Sequence, residues 1–162
     1  MTISPPVGLT GLCATFGDPF SYVNKKTHWE TLILKTKKLS TPIPYAYIPG
    51  TKITSIRAHY KIVDLFIECI EKCLTEGVTP KQLTYGGIYC WRSMRGGSKL
   101  SSHAWGVSID FNPAKNPRGI KWKDDGIMLH PKIIKVFCSA GFSWGDNFSV
   151  PDPMHFQFVR NY

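Results

Sequence analysis

The chain is short of the features that settle a protein class at once. No run approaches the roughly 20 apolar residues that cross a bilayer, so stable membrane insertion is not expected. The first twenty residues, MTISPPVGLTGLCATFGDPF, lack a basic stretch followed by an apolar one, which excludes a secretory leader and predicts synthesis in the cytoplasm. Internal repeats and low-complexity linkers are missing, and 162 residues suit one monomeric domain spanning 1–162, with no separate binding module. Five cysteines, Cys13, Cys69, Cys73, Cys90 and Cys138, form neither a disulfide framework nor a paired C-x-x-C zinc motif. Cys69 and Cys73, one helical turn apart, read as small apolar fillers. Acidic residues are scarce, 11 against 20 Lys plus Arg, giving a net charge of +9 and attraction to something anionic. The basic residues (Lys25-Lys26, Lys35, Lys37-Lys38, Lys121, Lys123, Lys132, Lys135) are scattered rather than aligned with interleaved aromatics. No nucleic-acid motif accompanies them, so no nucleic-acid partner is expected.

What is present reads as a mixed fold. Residues 1–50, rich in Pro, Gly and aromatics, suggest loops with short extended pieces. Over residues 56–76, Ile56, His59, Tyr60, Val63, Phe66, Ile67, Ile70, Cys73 and Leu74 recur at three- and four-residue steps, which predicts a helix stopped by Gly77 with Pro80 beyond. His59 falls on that apolar stripe and reads as a packed, hydrogen-bonded core histidine. Leu83 to Trp91 reads as a strand interrupted at Gly86-Gly87, RSMRGGSKLSS as a flexible loop, and Trp105 to Phe111 as a second strand closed by Asn112-Pro113. Pro131 to Ala140 reads as a helix ended by Gly141, burying Ile133, Ile134, Phe137 and Cys138, with His130 ahead of it as a capping or surface histidine. His155 to Val159 makes the last strand. Antiparallel strands with separate helices give an α+β class.

Two segments carry the chemistry. In SSHAWGVSID, Ser101 to Asp110, strand alternation sends Trp105, Val107 and Ile109 to one face and Gly106, Ser108 and Asp110 to the other. Small side chains beside a carboxylate would leave an open shelf, with His103 entering just ahead of the strand. In PDPMHF, Pro151 and Pro153 exclude a helix and favour an extended approach. Phe156 and Phe158 then face the core, and His155 and Gln157 the opposite side. Two imidazoles and one carboxylate make an ordinary three-ligand catalytic metal set with a position left for water. Spacing alone is weak and favours ordinary polar residues over a metal site, because His and Asp seven positions apart are common. Asp152 between prolines likewise reads on its own as a turn aspartate.

Ser101, His103, Gly106 and Asp110 nevertheless reproduce the S-x-H-x-x-G-x-A-x-D signature of the D-Ala-D-Ala carboxypeptidase and dipeptidase family of zinc peptidases. Asp152-Pro153-Met154-His155 resembles its second element. The stretch YGGIYCWRSMRGGSKLSSHAWGVSIDFNPAKNP, with ATFGDPF near the start, is similar to the L-alanyl-D-glutamate endopeptidase branch, often phage endolysins. The resemblance implies the hedgehog/DD-peptidase fold, an α+β domain with Zn2+ on an antiparallel sheet. It implies His103, Asp110 and His155 as metal ligands and Asp152 as catalytic base and acid. Arg92 is implied to act on substrate carboxylate or oxyanion, with Ser101 and Arg95 as further substrate contacts. Two positions depart from the pattern: Ser108 stands for the usual Ala, and Asp152 for the Glu of the dipeptidases.

The implied partner is peptidoglycan, reached in the cell wall after holin-mediated release, with the positive charge holding anionic wall polymer in place of a wall-binding module. The implied activity is cleavage of L-Ala–D-Glu in the stem peptide. D-alanyl-D-alanine carboxypeptidase is the alternative, and a non-catalytic virion or wall-binding protein of the same fold a remoter one. A cysteine enzyme using Cys90 with His103 or His59 as base is disfavoured, because Cys90 sits in an apolar stretch with no charge to activate it.

Overall fold

A four-stranded antiparallel sheet in the order β3-β4-β6-β5 carries the residues of interest. Its strands are β3 (Tyr85–Gly87), β4 (Ser108–Phe111), β5 (Ser143–Trp144) and β6 (His155–Gln157) in a computed structural model that describes residues 3–22 and 26–162. Lys25 of the basic pair lies outside the described residues. In the register between β4 and β6, Ser108 faces Gln157, Ile109 faces Phe156 and Asp110 faces His155. Strand side chains alternate between faces, so this register sorts them. Ile109 and Phe156 are fully buried in the core, and Ser108, Asp110, His155 and Gln157 share the opposite face.

Helix α4 (Pro131–Ser139) packs on this sheet through Phe137, whose ring meets those of Phe111 and Phe156, and α3 (Val63–Thr75) packs against α4 and the strand pair Leu34–Pro44 and Lys52–His59. Helix α3 buries Val63, Phe66, Cys69, Ile70 and Cys73, a repeat of three and four that turns one face inward. Gly77 then takes φ +90, a backbone that favours glycine. The two cysteines are free and buried, and burial pushes both thiols up to about 12. They act as apolar filling, as expected. The His130 side chain caps α4 by accepting from Lys132 N. The helix buries Ile133, Val136 and Phe137, whereas Cys138, expected inside, is exposed.

Two expectations about the N-terminal half need correction. Residues 1–50 contain α1 (Gly8–Phe16), α2 (Lys26–Ile33) and the long strand β1 (Leu34–Pro44) rather than loops. The helix expected from 56 begins only at Val63, because Lys52–His59 forms β2, antiparallel to β1. Ile56 and Ala58 are buried while Arg57 between them is exposed. The local period is therefore two, supported by β-branched Ile53, Thr54 and Ile56, and it overlaps the helical spacing that starts downstream.

His59 ends β2 as the expected core histidine, 1% exposed. Its Nε2 lies 3.1 Å from Phe16 O, and its Nδ1 accepts from Lys61 N at 3.2 Å. Burial lowers its pKa to about 4.

Candidate metal centre

His103, Asp110 and His155 converge. His103 Nε2 lies 3.3 Å from Asp110 Oδ1 and 3.2 Å from His155 Nδ1, and His155 Nδ1 lies 2.9 Å from the same Asp110 oxygen. Tetrahedral metal–ligand bonds of about 2.0–2.1 Å would set neighbouring ligand atoms about 3.3 Å apart. The three donors already stand at nearly that spacing, and their chemistry, two imidazole nitrogens and a carboxylate oxygen, suits a divalent ion.

Each donor is placed by its element. Asp110 and His155 are cross-strand neighbours on β4 and β6. His103 sits ahead of the strand, in a 3-10 turn, Ser102–Trp105, and the strand expected from Trp105 begins only at Ser108. Ser101 caps that turn, its hydroxyl accepting from His103 N at 3.4 Å. Gly106 ends it at φ +65. A Cβ on Gly106 would meet Leu34 Cδ2 at 2.8 Å and His59 N at 2.9 Å. This glycine is thus pressed against β1 and β2 and does not open a shelf. Ser108 is not open either, since it donates to Ser102 Oγ at 2.6 Å. Room beside Asp110 comes from the other neighbour strand, where a Cβ on Gly86 would meet Asp110 Cβ and O at 3.0 Å.

Hydrogen bonds orient the imidazoles. His103 Nδ1 lies 2.6 Å from Ile88 O, an acceptor only, so Nδ1 carries the hydrogen; Nε2, which faces the centre, has a free lone pair when the ring is neutral and donates to Asp110 when it is protonated. Burial opposes charge on Asp110, but the charge of His103 and the hydrogen bonds from both histidines outweigh it and hold the carboxyl well below its ordinary range. Burial likewise opposes charge on His155, and its bond to Asp110 with the charges of Asp110 and Asp152 outweighs that and pushes its pKa up.

Asp152 lines the same cleft. Its backbone is pinned by Asp152 N to Gly145 O at 2.9 Å and by His155 N to Asp152 O at 3.0 Å. The second bond closes a turn where an extended approach was expected. The side chain does not serve that turn: Oδ1 is buried with no hydrogen-bond partner, and Oδ2 faces Arg118 Nε at 3.6 Å. Burial raises the carboxyl pKa, with the Asp110 charge adding and those of His155, Arg118 and Arg95 opposing.

Arg92 and Arg95 both line the cleft. Arg92 is half-buried and donates through Nη1 to Ser93 O at 3.3 Å, while Arg95 is exposed. Their loop is tied into a hairpin by Met94 N to Lys99 O at 2.7 Å and Ser101 N to Arg92 O at 2.9 Å. Arg118 was not legible in the sequence, since no motif surrounds it. Its loop reaches the site because Gly119 N donates to Pro151 O at 2.6 Å.

Cys90 was expected inside an apolar strand, but β3 ends at Gly87 and the thiol is exposed. Neither candidate base serves it. The ring nitrogens of His103 face Ile88, Asp110 and His155, and those of His59 face Phe16 and Lys61.

These features describe an α+β protein in which His103, Asp110 and His155 could hold a metal ion, with a buried, unbonded carboxylate oxygen of Asp152 lining the same cleft. Residues 95–158 match the family described as D-alanyl-D-alanine carboxypeptidase. The family resemblance read from Ser101, His103, Asp110 and His155 is therefore borne out over that part of the chain, which also holds Arg95, Arg118 and Asp152 but not Arg92. No curated protein and no solved structure gives a match.

Proposed function

We propose that the chain is a zinc peptidase of the hedgehog/DD-peptidase fold that hydrolyses a peptide bond in the peptidoglycan stem. The observation carrying this reading is the triangle of His103 Nε2, Asp110 Oδ1 and His155 Nδ1, with sides of 2.9–3.3 Å. A zinc ion held by these residues supplies Lewis acidity towards the scissile carbonyl and the attacking water. Asp152 takes one proton from that water as the C–O bond forms and delivers it to the amine nitrogen as the C–N bond breaks. Its raised pKa suits both halves of that task, and Arg118 on Oδ2 leaves Oδ1 for the proton. Arg92, Arg95 and Arg118 give the cleft three cationic groups, and guanidinium binds carboxylates in a two-pronged way. Ser101 supports His103 from below and contributes to the cleft wall.

The preferred bond is L-Ala–D-Glu, in the setting of phage lysis after holin-mediated release, supported by the similarity of Tyr85 to Pro117 to the endolysin branch. Cleavage of terminal D-Ala is the second reading, favoured by the description of the matched family. Mass spectrometry of digested muropeptides separates them. A freed D-Glu amine is expected, loss of terminal D-Ala would establish the carboxypeptidase, and an unaltered sacculus would overturn both. The +9 charge then serves to hold anionic wall polymer, in which case added salt weakens sacculus binding.

A further inference from the structure

Ser108, which departs from the family signature, leads to a buried polar chain that neither the signature nor the proposed reaction assigns. Ser108 Oγ donates to Ser102 Oγ at 2.6 Å. Ser102 Oγ in turn donates to Gln157 Oε1 at 3.2 Å. On the same oxygen, at 3.1 Å, lies His155 Nε2. Gln157 Nε2 donates to Val159 O at 3.2 Å and to the Tyr162 backbone oxygen at 3.3 Å. Ser108, Ser102, Gln157 and His155 are at most 8% exposed, so these groups are bonded chiefly to one another.

The donor and acceptor inventory allows one arrangement. The two backbone oxygens can only accept, so the amide NH2 of Gln157 must face them and its oxygen must face Ser102 and His155. An oxygen there can only accept, so His155 Nε2 must carry hydrogen. A neutral His155 then has its lone pair on Nδ1, the atom that meets Asp110 and His103. The β-sheet register makes this possible, because Gln157 lies two residues after His155 on the same face of β6 and opposite Ser108.

We propose that Gln157 is a positioning residue for the metal centre: its amide oxygen, oriented by Ser102 and by the backbone of Val159 and Tyr162, fixes the His155 tautomer that presents Nδ1 to the ion. The inference rests on the metal-site reading above. A hydrogen-bond acceptor behind a ligating histidine sharpens its orientation and basicity, and removing one typically weakens metal binding about tenfold to a hundredfold.

The test is zinc affinity by chelator competition for the wild-type chain, Gln157→Met and Gln157→Glu, with folding checked by circular dichroism. Gln157→Met keeps similar bulk without an acceptor, and should bind zinc at least about tenfold more weakly. Gln157→Glu restores an acceptor while losing the two amide donors, so it should recover most of the affinity. Affinity unchanged in Gln157→Met overturns the proposal. Equal losses in both variants also overturn it, because they would assign Gln157 to tethering the C-terminal strand. If Gln157→Met does not fold, 15N NMR of the zinc-loaded wild type decides. A proton on His155 Nε2 is expected, and metal on Nε2 would refute the assignment. Failure of the wild type to bind zinc would instead refute the metal-site reading itself.

Discussion

Gly145 offers a way to move the proposed catalytic carboxylate without touching it. A Cβ built there would lie 3.2 Å from both the backbone carbon and the Cβ of Asp152, and would overlap Asp152 O more closely still. Those neighbours are mostly backbone, so they cannot swing aside as the tip of a flexible side chain could. Gly145 O also accepts from Asp152 N at 2.9 Å and from Phe148 N at 3.1 Å, which couples any shift directly to the Asp152 segment. Gly145→Ala should therefore displace Asp152 by a sizeable fraction of an ångström. Overpacking of this kind costs about 1–3 kcal/mol of stability, and misplacing a catalytic group by about 1 Å costs on the order of a hundredfold in rate. Asp152 O, the atom nearest that Cβ, also accepts from His155 N at 3.0 Å, so zinc content is read beside turnover to separate a moved carboxylate from a disturbed metal site. Turnover of purified peptidoglycan, measured beside zinc content and the melting curve, gives the answer. A folded, zinc-loaded Gly145→Ala protein with wild-type turnover would refute the claim that the Gly145 contact sets the position of Asp152.

Other outcomes follow from the same geometry. Asp152→Asn should fold, bind zinc nearly as well as wild type and lose at least about a hundredfold in rate; loss of zinc would make Asp152 a ligand, and near-normal rate would remove it from catalysis. Arg92→Ala should keep zinc and lose activity, and unchanged turnover would move the substrate contact to Arg95 or Arg118. His59, held neutral by burial with a pKa of about 4, should make the fold acid-sensitive. The unfolded chain takes up this proton near its ordinary pKa of about 6.5 while the folded chain resists, so stability present above about pH 6.5 falls as pH drops towards about 4. That window is worth about 3 kcal/mol, and chemical denaturation of His59→Gln across it should show a flatter profile than wild type; parallel profiles would count against the assignment.

The candidate ligand set was legible because a short motif carries it: Ser101, His103, Gly106 and Asp110 are close in sequence, and His155 sits in a proline-marked segment. Alternation in the last strand also placed His155 and Gln157 on one face correctly. What Gln157 does there was hidden, since its partners Ser102, Ser108, Val159 and Tyr162 meet only through the β4–β6 register. Arg118 was hidden for a related reason, reaching Asp152 through a single loop bond, Gly119 N to Pro151 O. In the N-terminal half, the end of β2 from Ile56 was read as helix because its buried Ile56 and His59 fall by coincidence in phase with the stripe of α3. Gly106 and Gly86 carry a further lesson. Both admit close packing, Gly106 against β1 and β2 and Gly86 against Asp110, and only the second bears on the space beside the ligand.

The central claim, that His103, Asp110 and His155 hold one catalytic zinc ion, is tested most directly by elemental analysis of the purified chain and its three alanine variants after equilibration with zinc and removal of the excess. One zinc per wild-type chain, with most of it lost in each of His103→Ala, Asp110→Ala and His155→Ala, is the predicted result. A wild-type chain that retains no zinc, or variants that keep full occupancy, would contradict the account.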